Sequence, residues 1–124
     1  MNSDYLIFNS RDEILRVKLQ NVVYFESEGN YTAIVATNKL RPTVCMNLGH
    51  MEQLLAEKLG DRRAMFVRVG KRHIVNMNFL YSITPAKQQL VLSDLSTFAF
   101  KLEISKDALA KMKQLVVKLN IKNK

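Results

Sequence analysis

The sequence predicts a mainly β fold of short antiparallel strands, with one helix in the middle and one at the end. Three observations predict it. Apolar residues alternate with polar ones over several short runs, the period-two signal of strands half buried in a sheet. Turn-forming groups such as "NSRD", "EGN", "TPAKQ" and "SDLS" punctuate those runs. Only two stretches change to helical spacing, and strand-like sequence separates them from residue 60 to residue 105. The strand–helix alternation of a doubly wound domain is missing.

Each element follows in order. "YLIF" (5–8) is a short aromatic and aliphatic strand closed by "NSRD". In "EILRVKL" (13–19), Leu15, Val17 and Leu19 alternate with Arg16 and Lys18. "NVVYFESE" (21–28) and "YTAIVAT" (31–37) flank "EGN", where Gly29 and Asn30 tolerate positive φ, so the pair reads as a hairpin. "LRPTVCM" (40–46) is a further strand that Pro42 pushes to an edge. From Leu48 the apolar positions 48, 51, 54, 55 and 59 form one helical face, with Asn47 as its cap and Gly60 as its stop. "DRRAM" is a polar connection. "FVRV" (66–69), "HIVN" (73–76), "LYSI" (80–83), "QLVL" (89–92) and "TFAFKLEI" (97–104) are strands. The last helix covers 105–120, with apolar residues at 108, 109, 112, 115, 116 and 119, and Ser105 as its cap.

The length of 124 residues fits a single domain over 1–124. Nineteen Lys and Arg stand against eleven Asp and Glu, a net charge of +8. That excess attracts polyanions, and with nucleic acid it gains further from counterion release. Cys45 is alone, cannot form an internal disulfide, and reads as a small buried hydrophobe in a reducing compartment. The opening "MNSDYLIFNSRDE" does not read as a signal peptide. No run approaches the roughly 18 apolar residues of a membrane span. A cytoplasmic protein without membrane contact is the expectation.

Chemistry of the catalytic kind has little support. His50 and His73 have no nucleophile or acid at a recognisable spacing, and the cations beside His73 disfavour its charged form. Zinc sites need Cys or His in local pairs, and none occurs. Glu26 and Glu28 share one face of a strand, but two carboxylates make a poor cage, and pairing with Lys is the plainer account. The glycines form no phosphate loop or dinucleotide motif. The expectation is a binding protein without enzyme activity, metal or cofactor.

The basic residues cluster in turns. In "RVGKRHIVN" (68–76), Arg68, Lys71, Arg72 and His73 fall between two apolar runs, and Gly70 allows a tight turn. Arg takes guanine O6 and N7 with two bonds, and Lys does so or meets phosphate. "SKD" (105–107) puts Ser105 and Lys106 at a helix N-terminus, whose free N–H groups suit phosphate. "EGNY" (28–31) offers Asn30 for a base edge and Tyr31 for packing or a phosphate. Lys87 in "PAKQQ" suits phosphate. The tail "VKLNIKNK" adds positive charge. A double-stranded DNA binder that reads with loops and strand edges is the leading expectation. An RNA or single-strand binder, and a protein-interaction module with weakened DNA binding, are the alternatives.

Three blocks, "VVYFESEGNYTAIV" (22–35), "FVRVGKRHIVNMNFLYSI" (66–83) and "LEISKDALAKMKQL" (102–115), resemble the LytTR DNA-binding domain in order and spacing. The resemblance covers about residues 12–118. The middle block is similar to the family's strand–loop–strand core, whose usual text is close to R-V-H-R-S-Y-I-V-N. The resemblance implies an elongated arrangement of small antiparallel sheets whose loops enter successive major grooves on one face of bent DNA. It implies sequence-specific control of transcription, commonly by two copies on paired direct repeats, as the output module of two-component response regulators. A receiver domain is then an expected partner if the chain is an excised fragment. The family's base-reading positions fall at Asn30, Lys71 and Lys106. Gly70 stands at the usual His position and Arg72 at the usual small hydroxyl, so the base preference does not carry over.

Overall fold

The computed structural model describes residues 4–120. Two compact units divide them. The first comprises the residues up to Arg68 together with Arg72–Met77, and the second comprises Val69–Lys71 and the residues from Asn78 onward.

The first unit opens with a hairpin of β1 (Tyr5–Asn9) and β2 (Ile14–Lys18), with Tyr5 opposite Lys18. Leu6, Phe8, Leu15 and Val17 face the core, while Ile7 and Ile14 face solvent. A 3₁₀ turn then buries Leu19 completely. Next come β3 (Val22–Glu28), β4 (Tyr31–Ala36) and the two-residue β5 (Thr43–Val44). After α1 (Leu48–Leu59) and a 3₁₀ segment follow β6 (Phe66–Val69) and β7 (His73–Asn76). These strands form a five-stranded sheet in the order β5-β4-β3-β7-β6. The middle strand is β3, whose Val22–Phe25 are all buried. It pairs antiparallel with β4 on one edge and with β7 on the other. Asn76 is fully buried and donates through Nδ2 to the Val22 carbonyl at 2.8 Å, locking β7 to the start of β3.

The sequence expected an edge strand at 40–46, and β5 is the edge of this sheet. Ile34 N–H donates to the Pro42 carbonyl at 2.8 Å, but Pro42 has no N–H to return, so regular pairing is confined to two residues. Val44 is buried and Cys45 is exposed, which corrects the buried reading of that cysteine. Alternation along the short strand turns one of two neighbours outward.

Helix α1 forms where the period changes. Asn47 Oδ1 accepts the His50 N–H at 2.8 Å and caps the first turn. The buried stripe Leu48, Met51, Leu55 and Leu59 joins Phe25, Ile34, Ile74 and Phe66 in one apolar cluster. Phe25 and Phe66 meet with ring centroids 5.5 Å apart.

The second unit contains a three-stranded sheet in the order β10-β9-β8, with β8 (Leu80–Thr84), β9 (Gln89–Ser93) and β10 (Ala99–Glu103). Helix α2 (Lys106–Asn120) packs on β8 and on the 3₁₀ turn Pro85–Lys87. Leu90, Leu92, Phe98, Leu102, Ile104, Leu109 and Met112 are buried here. Asp94 closes the β9–β10 hairpin by accepting from Thr97 Oγ1 and from the N–H groups of Ser96, Thr97 and Phe98. The Thr97 bond comes first among the causes that hold its carboxyl far below the usual range. The expected apolar face of α2 is buried only in part, since Leu115 is exposed. The Leu119 side chain and the basic tail after Asn120 lie outside the described residues.

Phe25 is wholly buried at the middle of the first unit's cluster. Phe25→Ala is expected to cost about 3–5 kcal/mol of stability. Urea unfolding followed by circular dichroism checks this, and a cost below ~1 kcal/mol would contradict the packing described.

Candidate nucleic-acid interface

The pairing of β3 on both edges brings two turns of the first unit to one end of its sheet. Glu28 lies opposite Tyr31, so the hairpin turn Gly29–Asn30 closes there, with Gly29 at φ +61°. Glu26 lies opposite His73, so β7 begins at the same end. One residue earlier, Ser27 N–H donates to the Arg72 carbonyl at 2.9 Å. Asn30 and Tyr31 therefore lie at the same end of the sheet as Arg72, on the other side of β3, although some forty residues apart in the chain. All three are exposed, Tyr31 by 49% and the Arg72 side chain by 62%.

A web of charges lies at the root of these turns. Arg41 binds Glu26 with one guanidinium nitrogen and Glu28 with the other. Glu26 also faces His73 Nε2 at 3.1 Å and Arg72 at 3.6 Å. Arg72 donates in addition to the Ser27 carbonyl at 3.2 Å. Burial works against the charge on Arg41, but the bonds to Glu28 and Glu26 outweigh it and raise its pKa. The two acids do share a face, as their spacing required, but their partner is an arginine rather than a lysine. Their charges are taken up by guanidinium groups, which leaves this cluster unsuited to a metal.

The second unit carries the remaining turns. Gly70 adopts φ +67°, which L side chains rarely accept, and so explains a glycine at this point of the loop. A Cβ there would lie 3.7 Å from Ala108 and from Ile104, so Gly70 and the following Lys71 run beside the start of α2. Ser105 Oγ accepts the Ala108 N–H at 3.3 Å and caps that helix, and Lys106 is its first residue. Lys71, Lys106 and Lys87 are all exposed. Lys87 ends the 3₁₀ turn and lines an open hollow with Gln88, Gln89, Lys101 and Glu103.

Two of the expected cations turn inward. His73 is only 5% exposed; its ring lies 6.0 Å from that of Tyr24 and its Nε2 faces Glu26. Its position on the paired strand, rather than in the turn, decides this. Arg68 is held by Glu52 of α1 at 3.1 Å. Both are engaged by acids of the first unit. The role of Arg41 was not legible locally, because its contact with β3 depends on the return of the chain after β4. Tyr81, within the expected strand at 80–83, is 61% exposed.

The model of the LytTr DNA-binding domain family matches residues 12–117. Among solved structures, the LytTr DNA-binding domain of a Bacillus cereus protein described as a methyl-accepting/DNA response regulator is similar, with a TM-score of 0.65 and 22% identity. The match covers 91% of this chain and 96% of that one, and at this identity it establishes the fold. No curated protein matches the chain. Among the described residues, no helix is long and apolar enough to cross a membrane.

His73 is the titratable group at the centre of the web. Burial, first of all, lowers its pKa below the ordinary 6.5; Glu26 opposes this and Arg72 adds to it. The folded state thus takes up the proton less readily than the unfolded chain. The resulting stability is present above the ordinary value, declines as pH falls through it, and stops declining once folded His73 is also protonated. Unfolding free energy measured from about pH 7.5 to pH 5 is expected to fall more steeply for the wild type than for His73→Phe. Parallel curves would remove His73 as the cause.

Proposed function

We propose that this chain, which belongs to the LytTr DNA-binding domain family, binds double-stranded DNA sequence-specifically in the major groove and regulates transcription. The observation that carries the reading is the pairing of β3 on both edges. It sets the exposed Asn30–Tyr31 turn beside Arg72 at one sheet end. The net charge of +8 favours a polyanion, and a loop can enter the major groove as a helix can.

In this reading Asn30, Lys71, Arg72 and Lys106 reach base edges or adjacent phosphates. Tyr31, Lys87 and Ser105 lie against the backbone. His73 and Arg68 hold the loop from behind. The residues 1–124 act as one domain, with the DNA-binding module at about 12–118. Two copies on paired direct repeats, and control by a receiver domain in a two-component system, fit the family's usual setting. A cytoplasmic site of action and the absence of enzyme activity follow from the same role. The exposure of Tyr31 suits base stacking as well, so single-stranded nucleic acid is the competitor to include.

The test is affinity for genomic promoter fragments across salt concentrations, against scrambled duplex and single strands. Lys71→Ala is expected to weaken binding to the preferred duplex by roughly 10- to 100-fold. Where the lysine meets a phosphate, the salt slope should also fall by about 0.9. Equal affinity for scrambled duplex would refute specificity, and preference for single strands would refute the duplex reading.

A further inference from the structure

Glu26 and Glu28 present a problem for a DNA-binding end of a sheet. They lie two residues apart on one face of β3, directly beneath the Gly29–Asn30 turn. Left alone, two carboxylates there would oppose an approaching phosphate backbone. They would also attract the nearest cation that DNA needs, which is Arg72.

Arg41 resolves both conflicts. The chain returns along β4 so that Ala36 N–H bonds the Leu40 carbonyl at 3.0 Å and Ile34 N–H bonds the Pro42 carbonyl at 2.8 Å. Residue 41 is thereby fixed between two anchored neighbours. From there its guanidinium spans to β3 and engages one oxygen of each acid. Ala33, opposite both Glu26 and Thr43 in the register, keeps the intervening strand small at that point. The contrast with Arg72 is informative. Arg41 makes close bonds to both acids and its side chain is 38% exposed, whereas Arg72 stands 3.6 Å from Glu26 and is 62% exposed. The acid pair is satisfied mainly by Arg41, and Arg72 is left with a loose ionic contact to Glu26 and one bond to the Ser27 carbonyl.

We propose that Arg41 is a positioning residue for DNA binding: by bridging Glu26 and Glu28 it keeps Arg72 from being drawn onto Glu26 and so leaves it available to the duplex. This rests on the DNA-binding reading above. Exposed ion pairs contribute little to stability, so the bridge acts through placement of charge. Without Arg41 the local balance of Glu26, Glu28 and Arg72 becomes negative, and among the described residues Arg72 is left as the guanidinium that faces Glu26.

The experiment is a mutant cycle on duplex affinity at fixed salt, with thermal unfolding of each variant. Arg41→Gln and Arg72→Ala are each expected to weaken binding roughly tenfold, the scale of one lost cation contact. Arg41→Gln with Arg72→Ala should lose clearly less than the roughly hundredfold product of the two, because Arg72 is already lost to DNA in Arg41→Gln and the second substitution adds only further exposure of the acids. Independent losses that multiply to about a hundredfold overturn the inference, as does full affinity in Arg41→Gln. The triple variant Arg41→Gln, Glu26→Gln, Glu28→Gln removes the acids that need the bridge and is expected to recover near wild-type affinity. It covers the case in which Arg41→Gln alone folds poorly, and a folded triple variant that still binds weakly overturns the inference. Wild-type chain that binds no duplex sinks the DNA reading and this inference together. Wild-type binding with independent losses sinks the inference alone.

Discussion

The pairing of β3 on both edges is the constraint on which the first unit depends. Its first half, Val22–Phe25, is buried on both faces and cannot stand at an edge. Its second half, Glu26–Glu28, leaves the core and carries charge. Antiparallel pairing with β4 and β7 then fixes where two chain reversals occur. A hydrophobic requirement at one end of a strand thereby places polar turns at the other. The buried bond from Asn76 to Val22 secures the register, since a slip of one residue would move Ile74 away from the Phe25 and Ile34 cluster and orphan that amide.

The charged residues at that end are organised by the same register. Glu26 meets His73 of β7, Arg72 of the turn before it, and Arg41 of the connection between β4 and β5. A carboxylate at the root of a basic loop looks adverse for a polyanion binder when its charge is counted alone. It becomes useful as an anchor once guanidinium groups reach it from both sides. In the second unit, Gly70 serves a related end by conformation rather than charge. Its left-handed φ beside Ile104 and Ala108 lets the chain turn where a larger residue would be strained. A glycine at this position is thus a backbone solution.

Much of the fold was legible because local patterns were consistent. Period-two runs gave the strands, Asn47 and Gly60 marked α1, and Pro42 marked the edge. Family resemblance, carried by three ordered blocks, added the fold and the DNA-binding role. What local pattern could not supply was direction and partner. Cys45 turns outward beside the buried Val44, and His73 is buried because it belongs to the paired strand rather than to the turn before it. Arg68 looked like a projecting cation, but Glu52 on α1 holds it. Arg41 carried no signal, because its partners are thirteen and fifteen residues away and meet it only after the chain returns.

The central claim is that the Asn30–Tyr31 turn, Lys71, Arg72 and the start of α2 each take part in the proposed contact with DNA. Amide hydrogen exchange with and without a preferred duplex tests it most directly. Protection on binding is expected in residues 28–31, 70–73 and 105–108, with the exposed side of α1 around Glu52 and Glu57 unchanged. Protection confined to α1 or to the β1–β2 hairpin, with those turns unaffected, would contradict the account.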